Sequence, residues 1–218
     1  VGGGGNDLYL FNTNDVDSGE LITETVGGGT DAIVILTTTD FTNITADSFN
    51  EIEEMRFAGS SQTGIVTGAH LDGETIVLTE TVSGISELII NIAAGATVNL
   101  SNLTATTFTI GSDIVTINLA DSNVTLTFPN FAVDLNIGSG AGDDNLIGGS
   151  GPDTLDGSIG NDTIDGNAGA DTLIGGSGND IFFFNTGDVA SGETITEFVG
   201  GGTDVIAIVT TTDFVNMS

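Results

Sequence analysis

The sequence predicts an all-β chain built from repeats, and three observations carry that prediction. Short runs rich in Val, Ile and Thr place an apolar residue at every second position, as in Ile76-x-Leu78, Leu88-x-Ile90-x-Ile92 and Val98-x-Leu100. A nine-residue unit recurs five times in succession between residues 139 and 183. A longer unit recurs at about 173 residues: GNDLYLFNTNDVDSGELITETVGGGTDAIVILTTTDF at 5–41 returns as GNDIFFFNTGDVASGETITEFVGGGTDVIAIVTTTDF at 178–214.

Each short unit keeps the same residue types at the same places. In register they read SGAGDDNLI (139–147), GGSGPDTLD (148–156), GSIGNDTID (157–165), GNAGADTLI (166–174) and GGSGNDIFF (175–183), with GGGGNDLYL (2–10) as a lone earlier copy. Asp holds the sixth place throughout, at Asp144, Asp153, Asp162, Asp171, Asp180 and Asp7. A bulky apolar residue holds the eighth in the five consecutive units, at Leu146, Leu155, Ile164, Leu173 and Phe182. A flexible Gly/Asp linker would not keep a hydrophobe at every ninth place. The long repeat is either a duplication within one protein or a piece of a tandem array, and the array is the expectation. Val1 falls inside a repeat, so the chain is expected to belong to a longer polypeptide.

Charge narrows the function. Asp and Glu number 31 against a single base, Arg56, giving a formal net charge of -30. Such a polyanion cannot neutralise nucleic-acid phosphates and is repelled by anionic membranes. A lysine-dependent phosphate loop is excluded as well. Density of this sign asks for a multivalent counter-ion. With no Cys and one His (His70), thiolate and multi-histidine metal sites are excluded within one chain. No apolar stretch approaches the roughly 18 residues of a membrane span, so no membrane insertion is expected. His70 reads as a solvated turn residue rather than a general base, and Arg56 as a partner of Glu51, Glu53 or Glu54.

The pattern G-G-x-G-x-D-x-U-x resembles the calcium-binding nonapeptide of the RTX (repeats-in-toxin) family. That resemblance implies a right-handed parallel β-solenoid continuing into a calcium-binding β-roll. GGxGxD forms a turn, xUx a short strand, and two units one coil of 18 residues. Turns one coil apart should then stack, aligning Asp144, Asp162 and Asp180 on one edge and Asp153 and Asp171 on the other. The implied ligands are these aspartates and Asp7, with the turn glycines Gly140, Gly142, Gly149, Gly151, Gly157, Gly160, Gly166, Gly169, Gly176 and Gly178. GGGTD at 27–31 and 200–204 reads as a clipped turn that could add Asp31 and Asp204, and Asp188 is a weaker candidate. An all-oxygen shell of flexible geometry fits several Ca2+ ions better than Mg2+. Ser139, Ser158 and Asn167 stand in glycine places, and Ala170 where Asn or Asp is common, but no Asp is lost. Each nonapeptide buries one large hydrophobe, too little to offset the entropy of ordering nine residues. The roll is therefore expected to fold only with calcium.

Four segments follow. Residues 1–46 read as the end of a preceding roll and its post-roll cap, 47–137 as a metal-free solenoid, 138–183 as the calcium roll, and 184–218 as the post-roll start of the next repeat. Counting back by nine from Leu146 gives Ile137, Phe128, Leu119 and Ile110. Two places before each lie Leu135, Leu126, Ile117 and Phe108. The expectation is one continuous solenoid that exchanges an inward hydrophobe for an inward Asp, with 108–137 stacked on the roll. Residues 47–73 break the pattern, with a strand at 52–57 and a helical turn near 63–71.

The expected function is structural, not enzymatic: a calcium-rigidified module of a secreted bacterial surface protein, of stalk, adhesin, filament or S-layer type. The family implies type I secretion to the cell exterior. Self-association with neighbouring repeats or copies is the expected partnership. A Thr-rich face (TTTDF, LTATTFTI) offers contact with a cell-surface polysaccharide. The alternative is the C-terminal calcium-binding secretion domain of an exported protease or lipase.

Overall fold

A computed structural model describes residues 2–18, 20–24, 29–45, 49–72, 74–82, 84–94, 96, 98, 100, 102–108, 113–120, 125–127 (backbone only), 132–198 and 201–209. The strands begin with β1 (Leu8–Phe11), β2 (Ala32–Ile35), β3 (Thr39–Asp40), β4 (Glu54–Phe57), β5 (Thr63–Thr67) and β6 (Val77–Glu80). There follow β7 (Glu87–Ile92), β8 (Thr104–Ala105), β9 (Ile114–Leu119), β10 (Thr125–Thr127), β11 (Asp134–Gly138) and β12 (Asn145–Ile147). The last are β13 (Thr154–Asp156), β14 (Thr163–Asp165), β15 (Thr172–Ile174), β16 (Ile181–Phe184), β17 (Thr194–Thr196) and β18 (Val205–Ile208). One short helix, α1 (Gly68–Leu71), follows β5.

All pairings between these strands are parallel, and the chain crosses from wall to wall as it climbs. One wall is a single eight-stranded sheet, β17-β15-β13-β11-β9-β7-β5-β3. The other consists of β1-β2-β4-β6-β8 and then β10-β12-β14-β16-β18. This is a β-solenoid. Parallel strands need crossovers, and from β2 onward each described crossover carries a strand of the opposite wall. Inward residues of both walls form one core from Phe11 to Phe184. β11 pairs with β9 on one side and β13 on the other, so the upstream coils stack directly on the roll.

The register departs from the count by nine upstream of Ile137. Ile117, not Leu119, pairs with Ile137, and Leu126, not Phe128, with Leu146. Strands of five or six residues without GGxGxD turns need longer coils than the roll does. Ile110 and Phe128 lie outside the described residues. A second correction concerns 63–71: Thr63–Thr67 is a strand, and only Gly68–Leu71 is helical. His70 is buried, not solvated; its Nδ1 accepts the Thr67 N–H at 3.0 Å and its ring lies 4.9 Å from that of Phe49. Burial lowers its pKa. Arg56 pairs with Glu54, Nε to Oε1 at 2.9 Å.

Where both are described, the two copies of the long repeat share their strand pairing and turn stacking. β1 pairs with β2 through Leu8↔Ala32, and β16 with β18 through the equivalent Ile181↔Val205. Gly29 stacks on Gly5 and Gly202 on Gly178 so closely that an added Cβ would meet the carbonyl oxygen at 2.4 and 1.5 Å. Thr30 donates its N–H to Asn6 Oδ1, as Thr203 does to Asn179 Oδ1.

Candidate metal centre

The switch from hydrophobe to acid is visible along one column of the long sheet. Leu88 faces Val115, Val115 faces Leu135, and the next places inward are Asp153, Asp171 and Glu193. The neighbouring column stays apolar: Ile90, Ile117, Ile137, Leu155, Leu173 and Ile195. Thus an upstream strand buries two hydrophobes, whereas a roll strand buries one hydrophobe and one carboxylate beside it. The opposite wall shows the same exchange near the start, where Asp7, Asp31 and Glu53 give way to Ile76 and Leu103.

After the first in each ladder, these acids cap a backbone N–H of the preceding coil. Asp162 Oδ1 accepts from Asp144 N at 2.8 Å, and Asp180 Oδ1 from Asp162 N at 2.8 Å. Asp153 and Asp171 Oδ1 accept from Leu135 N and Asp153 N at 2.9 Å. The turns therefore place Asp144, Asp162 and Asp180 on one edge and Asp153 and Asp171 on the other. The ladder continues past the nonapeptides. Asp180 N donates to Asp204 Oδ1 at 3.1 Å, Asp7 N to Asp31 Oδ1 at 2.8 Å, Asp31 N to Glu53 Oε2 at 2.8 Å and Asp171 N to Glu193 Oε2 at 3.3 Å. Asp188 instead closes a local turn, accepting the Asn185 N–H.

The second oxygen of each carboxylate is the informative one. Oδ2 of Asp162, Asp171 and Asp180 and Oε1 of Glu193 are buried without a hydrogen-bond partner. Asp153 Oδ2 accepts the Gly149 N–H at 2.7 Å and Asp7 Oδ2 the Gly3 N–H at 2.9 Å. The second oxygens of Asp162 and Asp153 share their space with glycine carbonyls. A Cβ at Gly157 would lie 2.5 Å from Asp162 Oδ2 and 2.8 Å from Gly175 O; at Gly148, 2.6 Å from Asp153 Oδ2 and 2.8 Å from Gly166 O. Only glycine leaves that space open. Burial, opposed by the backbone N–H bonds, pushes Asp153 and Asp162 up to about 7 and Asp171 to about 6, and raises Asp180. Glu193 rises to about 7 from burial and the charge of Asp171. Buried carboxylates with free lone pairs call for a cation.

Residues 139–173 and 156–188 match the RTX calcium-binding nonapeptide repeat (4 copies). The roll segment is therefore an array of calcium-binding RTX repeats, covering well under half of the chain. No curated protein matches the chain. The RTX turns also explain their own departures. Ser158 and Asn167, at φ 65° and 61°, take the left-handed place that Gly140 and Gly176 occupy at 79° and 101°. Each is preceded two residues earlier by an Asp whose Oδ1 accepts its N–H, Asp156 at 2.9 Å and Asp165 at 3.0 Å. That local bond offsets the cost of positive φ without glycine.

Of the turn glycines, Gly142, Gly160 and Gly178 lie at φ 144°, 146° and 142°, bringing successive turns into contact. Gly151 and Gly169 stack likewise, a Cβ on Gly169 meeting Gly151 O at 2.2 Å and Asp171 Oδ1 at 2.4 Å. Gly166 abuts Asp171 Oδ2 at 2.4 Å by the same measure. Sequence reasoning missed Glu53, Glu193, Glu24 and Glu197. Glu53 and Glu193 precede strands as the roll aspartates do, but without the GGxGxD turn that marks them. Glu24 and Glu197 had a usable signal: both copies of the long repeat keep them.

Proposed function

We propose that the chain is a non-catalytic structural module that folds and stiffens when Ca2+ enters its stacked turns. The supporting observation is the set of buried, partnerless Oδ2 atoms of Asp162, Asp171 and Asp180, each facing space that a glycine keeps open and the first sharing it with the Gly175 carbonyl. Asp144, Asp153, Asp162, Asp171 and Asp180 would hold the ions, with carbonyls of the intervening glycines completing an oxygen shell suited to calcium. Bound calcium supplies positive charge between coils that otherwise repel. Titrating calcium into the EGTA-treated chain while following circular dichroism tests this reading. A rise in β signal accompanied by several bound equivalents in calorimetry supports it, and an unchanged spectrum defeats it.

The same reading places the module outside the cell, exported through a type I channel and folded by external calcium. Assembly through successive repeats is supported by the two copies. Ile33 and Ile35 of β2 are fully buried beneath β4, whereas their equivalents in β18, Ile206 and Ile208, are 51% and 57% exposed. A following repeat or a second chain would cover them as β4 covers β2. This favours a fibre or surface-layer element over the terminal secretion domain of a protease or lipase. Light scattering in calcium tests assembly: growth that Ile206→Asp abolishes is expected, and a monomer at all concentrations overturns end stacking.

A further inference from the structure

At the exit of the roll, three carboxylates from separate segments converge. Asp180 precedes β16, Glu197 follows β17, Asp204 precedes β18, and each offers an oxygen within 4.8 Å of the others. The chain builds this constellation a second time from Asp7, Glu24 and Asp31. Acid clusters are common without an ion, so the burial decides. Asp180 is 0% exposed, and its Oδ2 is shut from water without a hydrogen-bond partner, with the Glu197 oxygens enclosed beside it. They point into one space. A Cβ on Gly175 would fall 2.6 Å from Asp180 Oδ2 and 2.0 Å from Glu197 Oε1, and one on Gly2 1.9 Å from Glu24 Oε1. Glycine at both places keeps that space open.

We propose that Asp180–Glu197–Asp204 and Asp7–Glu24–Asp31 are calcium sites of a second kind, each built from three carboxylates and placed at the junction between repeats. Glu197 and Glu24 lie outside every nonapeptide. The proposal rests on the calcium reading of the roll only through the aspartate that each triad shares with a nonapeptide. Three negative charges favour a hard cation of calcium size and, more strongly, a trivalent lanthanide. One difference between the two copies bears on the glutamate. Tyr9 donates its hydroxyl to Glu24, whereas the equivalent residue is Phe182, which has no hydroxyl to offer Glu197.

That difference supplies a probe, because Tyr9 is the sole tyrosine and the chain has no Trp. Terbium added to the whole chain, with excitation of tyrosine, should give sensitised emission that calcium displaces. Glu24→Gln, which keeps an acceptor for Tyr9, should abolish the emission while the calcium-dependent β signal is retained. In Tyr9→Phe/Phe182→Tyr the emission should return and depend on Glu197 instead of Glu24. Emission that survives Glu24→Gln overturns the proposal. So does its absence while calcium still folds the roll, an outcome that leaves the roll reading intact. Tyrosine-sensitised emission without any calcium-induced folding would instead defeat the roll reading alone.

Discussion

The coils of β7, β9 and β11 and those of β13 and β15 share one backbone path yet differ in what fills a single inward column. Leu88, Val115 and Leu135 occupy it upstream, Asp153 and Asp171 in the roll. An apolar column stabilises its coil by itself. A column of buried acids does so only when something neutralises it. On the proposed reading, one solenoid contains a half that stands alone and a half whose folding is conditional. Removing calcium should separate them most sharply. In EGTA, hydrogen exchange is expected to strip protection from β12–β15 and leave it in β5, β7 and β9. Equal loss in both halves would show that they fold as one unit.

Exchanging the column's contents should come next in size. Leu135→Asp places an acid where no turn glycines surround it, and is expected to destabilise by about 3 kcal/mol or more with or without calcium. Asp162→Asn acts in the reverse sense. It keeps the shape and an acceptor for the Asp144 N–H but removes a charge, so the apo roll gains stability. The calcium midpoint should rise by about tenfold, or ~1.4 kcal/mol. A dichroism titration of both variants checks the pair, and a Leu135→Asp chain as stable as the parent would erase the distinction between halves.

Proton and calcium compete for the same oxygens, which gives the roll two opposite pH responses. Asp153, Asp162 and Glu193 are raised by burial to about 7, and Asp171 to about 6. Folded pKa values above the unfolded ones mean that the neutral acids stabilise the apo roll. That contribution is complete below about pH 4 and is lost as pH rises through about 6 to 7. In EGTA, β signal should therefore grow on acidification from pH 8 to 4.5. In calcium it should fall over the same range as the ions leave. The upstream half, with apolar columns, should not respond to calcium, and acidification should weaken it only through buried His70, whose lowered pKa makes its protonation oppose folding.

Much of this was legible in the residues. The nonapeptide spacing yields the roll, its turn stacking and the buried aspartates, because a fixed turn fixes every register after it. Upstream, no turn motif sets coil length, so counting by nine misplaced Leu119 and Phe128 by two residues while still finding the apolar column at Leu135 and Ile137. Glu193 and Glu197 escaped notice because their turns lack the glycine signature, although they occupy the same buried ladder and junction. His70 misled for a related reason. A lone histidine after a strand reads as solvated unless one knows that Phe49 and the Ile44 carbonyl, distant in sequence, close over it.

The smallest expected effect comes from the outer edge of the same turns. There Asp143 Oδ1 accepts both the N–H and the Nδ2 of Asn161, and Asn161 Oδ1 accepts both from Asn179, at 2.8 to 3.0 Å. This ladder repeats the geometry of the aspartate ladder one residue away but faces water. Water can replace its acceptors, so Asn161→Ala should cost only about 0.5–1 kcal/mol, measured by denaturation in calcium. Its calcium midpoint should move by less than that of Asp162→Asn. If the two midpoints shifted equally, the neighbouring side chains would be one electrostatic unit, and burial would not be what distinguishes the ladder that takes the ion.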